Sequence, residues 1–196
     1  MRPIPVKPAM RQPLNPNSAH EILQFWFEQS TPKQWFQKDA AFDRLIADRF
    51  GGWVELARAG ALVDWRKQPA NNLALVLVLD QFTRHVYRNT PCAFAGDEQA
   101  LNLSQEALGL GWVQQCPDIN QRKFWLMPMM HSEAIDVQRT SLPLFERHTD
   151  ADTLRFARRH CEIIERFGRF PHRNAILGRT STEDELAFLA EPGSSF

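Results

Sequence analysis

Residues 73 to 87 read Leu73-Ala-Leu-Val-Leu-Val-Leu-Asp-Gln-Phe-Thr-Arg-His-Val-Tyr87, and this stretch decides the fold class of the chain. Its first seven residues are all apolar and, taken alone, could form a buried strand. Over the whole stretch, however, large apolar residues recur at steps of four, three and four: Leu75, Leu79, Phe82 and Val86. This spacing places them on one face of a helix, so we predict a helix that ends near Tyr87.

Short breaks divide the rest of the chain into further helical segments. Residues that commonly cap helices precede several of them: Ser18, Asp39, Asp118, either Asp150 or Asp152, and one of Thr180, Ser181 and Thr182. Pro91 is expected to begin a helix that continues to about Leu108, and Pro128 is expected to disrupt the helix that follows Asp118. The pattern predicts an all-α chain of about eight helices, and its short connections favour antiparallel neighbours.

Length and composition predict one globular domain. The chain has 196 residues, of which 43% are hydrophobic and 23% are charged, and such a chain can bury a core of its own. Residues 1–17 contain five of the 13 prolines, so we expect a proline-rich irregular arm there. A single helical domain is predicted over residues 18–190, followed by a tail over residues 191–196.

Charge and cysteine content exclude several classes of function. The chain has 23 basic and 23 acidic residues, so no overall field attracts nucleic acid or a membrane surface. Its three cysteines form no CxxC pair, which argues against a disulfide framework or a zinc cluster and favours the cytoplasm. Prolines stand where a signal peptide needs apolar residues, and the longest apolar run, seven residues, is too short to span a bilayer.

The most unusual polar stretch runs from Arg166 to Thr180 and contains four arginines, one histidine and no acidic residue. Guanidinium groups on a loop between helices are suited to bidentate binding of a carboxylate or a phosphate. Arg169, Arg173 and Arg179 are therefore candidate ligand-binding residues. The alternative is that these arginines pair with acidic residues of other helices, since such networks are also structural.

A second polar stretch, from Asp80 to His85, follows the apolar run quoted above. A carboxylate at Asp80 is costly there unless it is paired. It can pair with Arg84 one helical turn later, or it can orient an arginine of the Arg166–Thr180 stretch, and spacing alone does not choose between them. Arg84 is a candidate to assist in binding an anion, and Asp80 is a candidate orienting residue.

The third polar stretch is His131-Ser132-Glu133. Histidine and glutamate are typical proton-transfer residues, so His131 and His172 are candidate catalytic proton carriers, and Glu133 is a candidate orienting residue. The stretch lacks the helical spacing of metal ligands, and no metal site is predicted. Alternatively, Ser132 caps the next helix and Glu133 interacts favourably with its dipole.

Motifs of familiar cofactor and nucleophile sites are missing, so the sequence discloses no reaction. GxSxG, P-loop and GxGxxG patterns do not occur, and no cofactor is predicted. His160 lies beside Cys161 on the apolar stripe of its helix, where a hydrogen-bonded core histidine is the common case.

Together, these stretches resemble the motifs of an uncharacterised bacterial family, a domain of unknown function. The likeness rests on Asp80-Gln-Phe-x-Arg84, His131-Ser-Glu133 and the long motif from Arg166 to Glu185, and it extends from about Glu21 to Leu189. It implies an all-helical, tetratricopeptide-like superhelical array of helix pairs, and it supplies no reaction. Thr83 and His85 depart from the proline and asparagine usual around the arginine in that family, so the resemblance defines no role for His85.

Three functions are compatible with these features. The first is a site for a small anionic or carboxylate-bearing molecule, with or without catalysis, which predicts arginines converging on a partly dry pocket. The second is a peptide- or protein-binding helical-repeat module whose arginines hold a C-terminal carboxylate. The third is a purely structural network, in which every arginine is matched by a buried acid.

Overall fold

The computed structural model describes residues 18–194, and every regular element among them is helical. The predicted arm, residues 1–17, lies outside the described residues, as do residues 195–196 of the predicted tail. The all-α prediction is confirmed for this part of the chain. None of its helices combines the length and apolar character needed to cross a membrane.

Eleven α-helices are present in residues 18–194, rather than about eight. Their bounds are α1 Ser18–Gln24, extended by a π-helix Phe25–Gln29; α2 Pro32–Phe36; α3 Ala40–Arg58; α4 Pro69–Leu77, continued by a π-helix Val78–Phe82 and by Thr83–Val86; α5 Asp97–Gly109; α6 Trp112–Gln115; α7 Ile119–Met130; α8 Ile135–His148; α9 Ala151–Phe167; α10 Asn174–Leu177; and α11 Glu183–Leu189. Short 3-10 helices lie at Val63–Lys67, Pro91–Phe94 and Pro171–Arg173. The count exceeds the prediction partly because α6 and α10 are single turns without a periodic apolar pattern.

Helix α4 is the central element of the core. Every residue from Asn72 to Thr83 is buried, as expected for a helix that is apolar on all sides. Helices α1, α3, α5 and α7 pack around it. The predicted helix and its end near Tyr87 are therefore confirmed. The π-helical turn Val78–Phe82 carries Asp80, and such turns frequently occur at functional sites.

The segment after α4 differs from the prediction of one helix from Pro91 to Leu108. A 3-10 turn ends at Phe94, and α5 begins only at Asp97. Between them, the backbone of Gly96 lies so close to Leu79 that a Cβ at Gly96 would collide with the Leu79 carbonyl oxygen. Glycine thus allows the close approach, and the break brings Asp97 beside the π-helical turn of α4.

The C-terminal half continues with α7, α8 and α9, each packed against the next. Pro128 does not disrupt α7, because it lies in the last turn and the helix continues to Met130. The cap predictions are confirmed at four positions, where the side chain accepts a backbone N–H: Asp39, Asp118, Asp150 and Thr182. A small second core joins the end of α9 to α11 through Ile163, Ile164, Phe170 and Phe188.

Candidate functional site

The three polar stretches of the sequence meet in space. They lie where the π-helical turn of α4 faces the start of α5, the α7–α8 junction and the segment that follows α9. We call this group of side chains the polar cluster; its members are Asp80, Arg84, Asp97, His131, Glu133, Arg173 and Arg179.

Asp80 forms the floor of the polar cluster and is fully buried. Its Oδ1 lies 2.7 Å from His131 Nδ1 and 3.2 Å from Arg84 Nη1, while Gln81 Nε2 donates to Oδ2 at 2.6 Å. Burial works to raise the pKa of Asp80, but Arg84 and His131 hold it well below its usual range. Because Asp80 is ionised, it accepts a hydrogen bond from Nδ1 of His131.

Asp97 bridges two arginines from different parts of the chain. Arg84 Nη1 lies 3.0 Å from Oδ1, and Arg173 Nη1 donates to Oδ2 at 3.0 Å. The sequence left two partners open for Asp80: Arg84, or an arginine of the Arg166–Thr180 stretch. In the structure, the partners of Asp80 are Arg84 and His131. It is Asp97, not Asp80, that holds an arginine of the Arg166–Thr180 stretch by direct contact.

Arg173 is the most deeply buried cation of the polar cluster, with 6% of its surface exposed. Its guanidinium carbon lies between the rings of Phe94 and Phe170, at 4.6 Å and 4.8 Å from their centroids. Nη2 donates to the carbonyl of His131 at 3.0 Å, whereas the buried Nε has no partner among residues 18–194. Burial lowers the pKa of Arg173 to about 10; Arg84 acts in the same direction and Asp97 opposes it. Burial therefore makes the charged form of Arg173 less favourable than it is in water, although Asp97 is its partner.

Glu133 and Arg179 form a bidentate pair that joins the start of α8 to the segment after α10. The two Nη–Oε distances are 2.7 Å and 3.0 Å, and the backbone N–H of Phe170 also donates to Glu133 at 2.8 Å. Burial works to raise the pKa of Glu133, but these hydrogen bonds lower it. Ser132 is not the N-cap of α8, which is Ala134, but its Oγ accepts the backbone N–H of Ala134 at 3.2 Å.

Arg169 forms an ion pair with Glu185, outside the polar cluster. Its Nε and Nη2 donate to the two carboxylate oxygens of Glu185 at 2.7 Å and 2.8 Å, and Nη2 also donates to the carbonyl of Thr180. The hydrogen bond from Arg169 lowers the pKa of Glu185 to about 2. Among residues 18–194, no hydrogen bond or ion pair joins Arg169 to the polar cluster, so this predicted ligand-binding arginine lies apart from Arg84 and Arg173.

Two further histidines border the polar cluster. His172 packs its ring 5.7 Å from that of Phe170, and burial, assisted by Arg173 and Arg84, lowers its pKa to about 3. The ring of His160 lies 6.2 Å from that of His131, and its Nδ1 bonds the carbonyl of Phe156 at 2.8 Å, as expected for a core histidine. Burial lowers the pKa of His160 to about 3 as well.

The polar cluster is electrically balanced and partly open to solvent. Three guanidinium groups of Arg84, Arg173 and Arg179 face the three carboxylates of Asp80, Asp97 and Glu133. Its outer side chains keep between 20% and 29% of their surface exposed, which defines a rim over the buried Asp80 and Arg173. No group of histidine, cysteine and acidic residues within residues 18–194 could hold a metal ion.

Sequence reasoning missed Asp97 and Phe94. An acidic residue in the first turn of a helix is ordinary, and Gly96 beside it was the only local sign of an unusual contact. It also missed Asp43, the partner of His85: their Oδ1 and Nδ1 atoms lie 2.7 Å apart, and Arg88 Nε donates to Oδ2 at 2.6 Å. This second buried aspartate–histidine pair fastens the end of α4 to α3.

Comparisons with known proteins fit the resemblance found in the motifs. A family model described as a bacterial protein of unknown function, DUF924, matches residues 22–193. The solved structure of a protein of unknown function, ATU0120 from Agrobacterium tumefaciens, is similar with a TM-score of 0.82 and 38% identity. The match covers 88% of this chain and 96% of that one. No curated protein matches the chain.

Proposed function

The chain belongs to the bacterial DUF924 family, whose function is unknown, and we propose that its polar cluster binds a small molecule bearing a carboxylate or a phosphate. Arg173 carries this proposal. Its guanidinium is buried, its Nε has no partner among residues 18–194, and burial lowers its pKa to about 10. An oxyanion beside Arg173 would supply the missing acceptor and would offset the cost of burying its charge.

Sharing of carboxylates between arginines supports the same ligand chemistry. Asp97 forms ion pairs with both Arg84 and Arg173, and Asp80 pairs with both Arg84 and His131. Oxygens of a ligand can therefore share these guanidinium groups with Asp97 in the same charge-assisted manner. Arg84 and Arg179 reach the rim, where a ligand enters, and Arg169 acts only by holding α11 in place.

His131 is the proposed proton carrier of the site, with His172 as the second candidate. Asp80 fixes the tautomer and the ring orientation of His131, and Glu133 orients Arg179.

A structural role is the second candidate, and one observation favours it. Each of the four arginines at issue, Arg84, Arg169, Arg173 and Arg179, has a carboxylate within 3.2 Å. A network of this kind could serve only to fasten the C-terminal segment to the helices around α4. It would then contribute stability without recognising a ligand.

Thermal unfolding at constant ionic strength separates the two candidates. The probes are inorganic phosphate, sulfate, acetate, nucleoside monophosphates, and a short peptide with either a free or an amidated C-terminus. A ligand at about one hundred times its Kd stabilises the folded state by about 2.7 kcal/mol. We expect one probe to raise the Tm of the wild type and to lose this effect in Arg84→Gln and Arg173→Gln.

The exposed Arg155→Gln on α9 serves as the matched control, since it removes one positive charge far from the polar cluster. It should keep the full ligand-induced rise. If no probe raises the Tm while Arg173→Gln alone lowers it strongly, the binding proposal fails and the structural network stands. A rise with the free-acid peptide alone would assign the carboxylate to a polypeptide C-terminus rather than to a metabolite.

We also propose the cytoplasm as the location and a tetratricopeptide-like stacking of the helices. All three cysteines, Cys92, Cys116 and Cys161, are free thiols, which supports a reducing compartment. The consecutive packing of α7, α8 and α9 supports antiparallel helix pairs.

A further inference from the structure

A cavity of about 180 Å³ lies between α3, α4, α5 and the 3-10 segment Val63–Lys67. Its wall combines the aliphatic residues Ala57, Leu62, Leu75, Leu79 and Leu103 with the polar side chains of Arg66, Gln99 and Asn102. None of the polar cluster residues lines it. The cavity is therefore independent of the proposed site.

The size and wall of the cavity suit a small apolar group. An enclosed aliphatic protein cavity of about 150 Å³ takes up benzene, and this cavity is slightly larger and opens to solvent on one side. Its five aliphatic wall residues are each at most 5% exposed, so a guest would pack against a continuous apolar surface on the inner side of the cavity. A body of about six carbon atoms fits such a space.

The mouth of the cavity carries a cation whose present partner is weakly held. Arg66, in the 3-10 segment, donates from Nε to Glu106 Oε2 at 3.1 Å, and its Nη2 also contacts Glu106. The side chains of Arg66 and Glu106 are 44% and 39% exposed. An ion pair this exposed contributes little to stability, so a competing carboxylate can displace Glu106 at small cost.

We propose that this cavity binds a small aliphatic carboxylic acid with about six carbon atoms. Its chain occupies the aliphatic space, and its carboxylate replaces that of Glu106 on the guanidinium of Arg66. Glu106 then turns outward into solvent, where it is already partly exposed. The two residues of the ion pair consequently have opposite roles in binding: Arg66 holds the ligand and Glu106 competes with it.

Calorimetric titration with hexanoate and with 1-hexanol tests this division of roles. The wild type should bind both, and hexanoate more tightly. Arg66→Gln should weaken hexanoate binding by about tenfold, the value of one charge-assisted contact. Glu106→Gln should tighten hexanoate binding by about threefold, because a competing surface ion pair is removed. Neither substitution should change the binding of 1-hexanol.

A purely structural ion pair predicts a different pattern, since breaking it from either side would then change binding in the same direction. Equal effects of Arg66→Gln and Glu106→Gln would therefore overturn the proposal, as would hexanoate binding no tighter than 1-hexanol. Leu103→Phe fills the cavity and should abolish the binding of both hexanoate and 1-hexanol. If Leu103→Phe fails to fold, Ala57→Val is a variant that fills the cavity less. The effects of Arg66→Gln and Glu106→Gln on hexanoate binding should persist in an Arg84→Gln background, which separates this test from that of the proposed function.

Discussion

Arg173 and Asp97 are separated by 76 positions in the chain, yet Nη1 of the arginine donates to Oδ2 of the aspartate across 3.0 Å. The contact joins the segment after α9 to the first residue of α5. Only 7% of the Arg173 side chain and 20% of the Asp97 side chain are exposed. Water therefore screens this pair less than the surface ion pairs of the protein.

Removing both partners of this pair should cost less than the sum of the two single removals. Arg173→Gln leaves Asp97 without one of its two cations, and Asp97→Asn leaves a buried guanidinium undercompensated. Each single variant is expected to lose about 3–5 kcal/mol of unfolding free energy. The double variant should lose clearly less than the sum of the two. Urea unfolding of the four proteins at pH 7 measures the coupling as a double-mutant cycle.

The exposed pair Arg155–Asp152 on α9 provides the reference cycle, in which less than about 1 kcal/mol of coupling is expected. Strict additivity for Arg173 and Asp97 would show that the 3.0 Å contact contributes nothing that depends on both residues.

Helices and their caps followed from the sequence because they depend on near neighbours. The spacing from Leu75 to Val86 identified α4 although its first half could be a strand, since periodicity extends over the whole segment. Asp39, Asp118 and Asp150 cap as predicted because the N–H groups they accept lie two or three residues away. The one-turn helix α6 carries no such repeating pattern and was not expected.

Residues that form contacts with distant parts of the chain could be recognised from the sequence only where their own stretch was unusual. The acid-free run of arginines was recognised, and so were Asp80 and His131, yet their pairing was left open. Asp97 was not singled out, because its role depends on the close backbone contact of Gly96 with Leu79. No local pattern reports a contact of that kind, and so the bridge between Arg84 and Arg173 required the structure.

Substituting Gly96 by alanine should separate α5 from the π-helical turn of α4. Because the new Cβ would collide with the Leu79 carbonyl oxygen, backbone must shift, and such overpacking typically costs about 1–3 kcal/mol. Urea unfolding measures the loss. Gly109→Ala, at the last residue of α5, is the matched control, since its Cβ would meet no atom within 4 Å. A Gly96→Ala protein as stable as this control would contradict the close approach.

Glu185→Gln should destabilise the protein in a manner that depends on pH. The hydrogen bond from Arg169 lowers the pKa of Glu185 from its ordinary 4.5 to about 2. The ionised carboxylate therefore stabilises the folded state fully above pH 4.5, and this contribution disappears as the pH falls towards 2. The difference in unfolding free energy between wild type and variant should be largest near neutral pH and shrink over that window. Glu183→Gln, an exposed position in the same first turn, controls for loss of charge near the helix dipole.

His160→Gln should remove part of the acid sensitivity of the protein. Burial and the nearby His131 lower the pKa of His160 from its ordinary 6.5 to about 3. Between these values only the unfolded chain binds the proton, so acidification from pH 6.5 towards 3 destabilises the wild type by about 1.4 kcal/mol per pH unit through this group. Glutamine does not take up a proton in this range. The difference in unfolding free energy between wild type and variant should therefore decline at about that rate from pH 7 to pH 4.5, as measured by urea unfolding. A difference that stays constant with pH would mean that His160 is as easily protonated in the folded protein as in the unfolded chain.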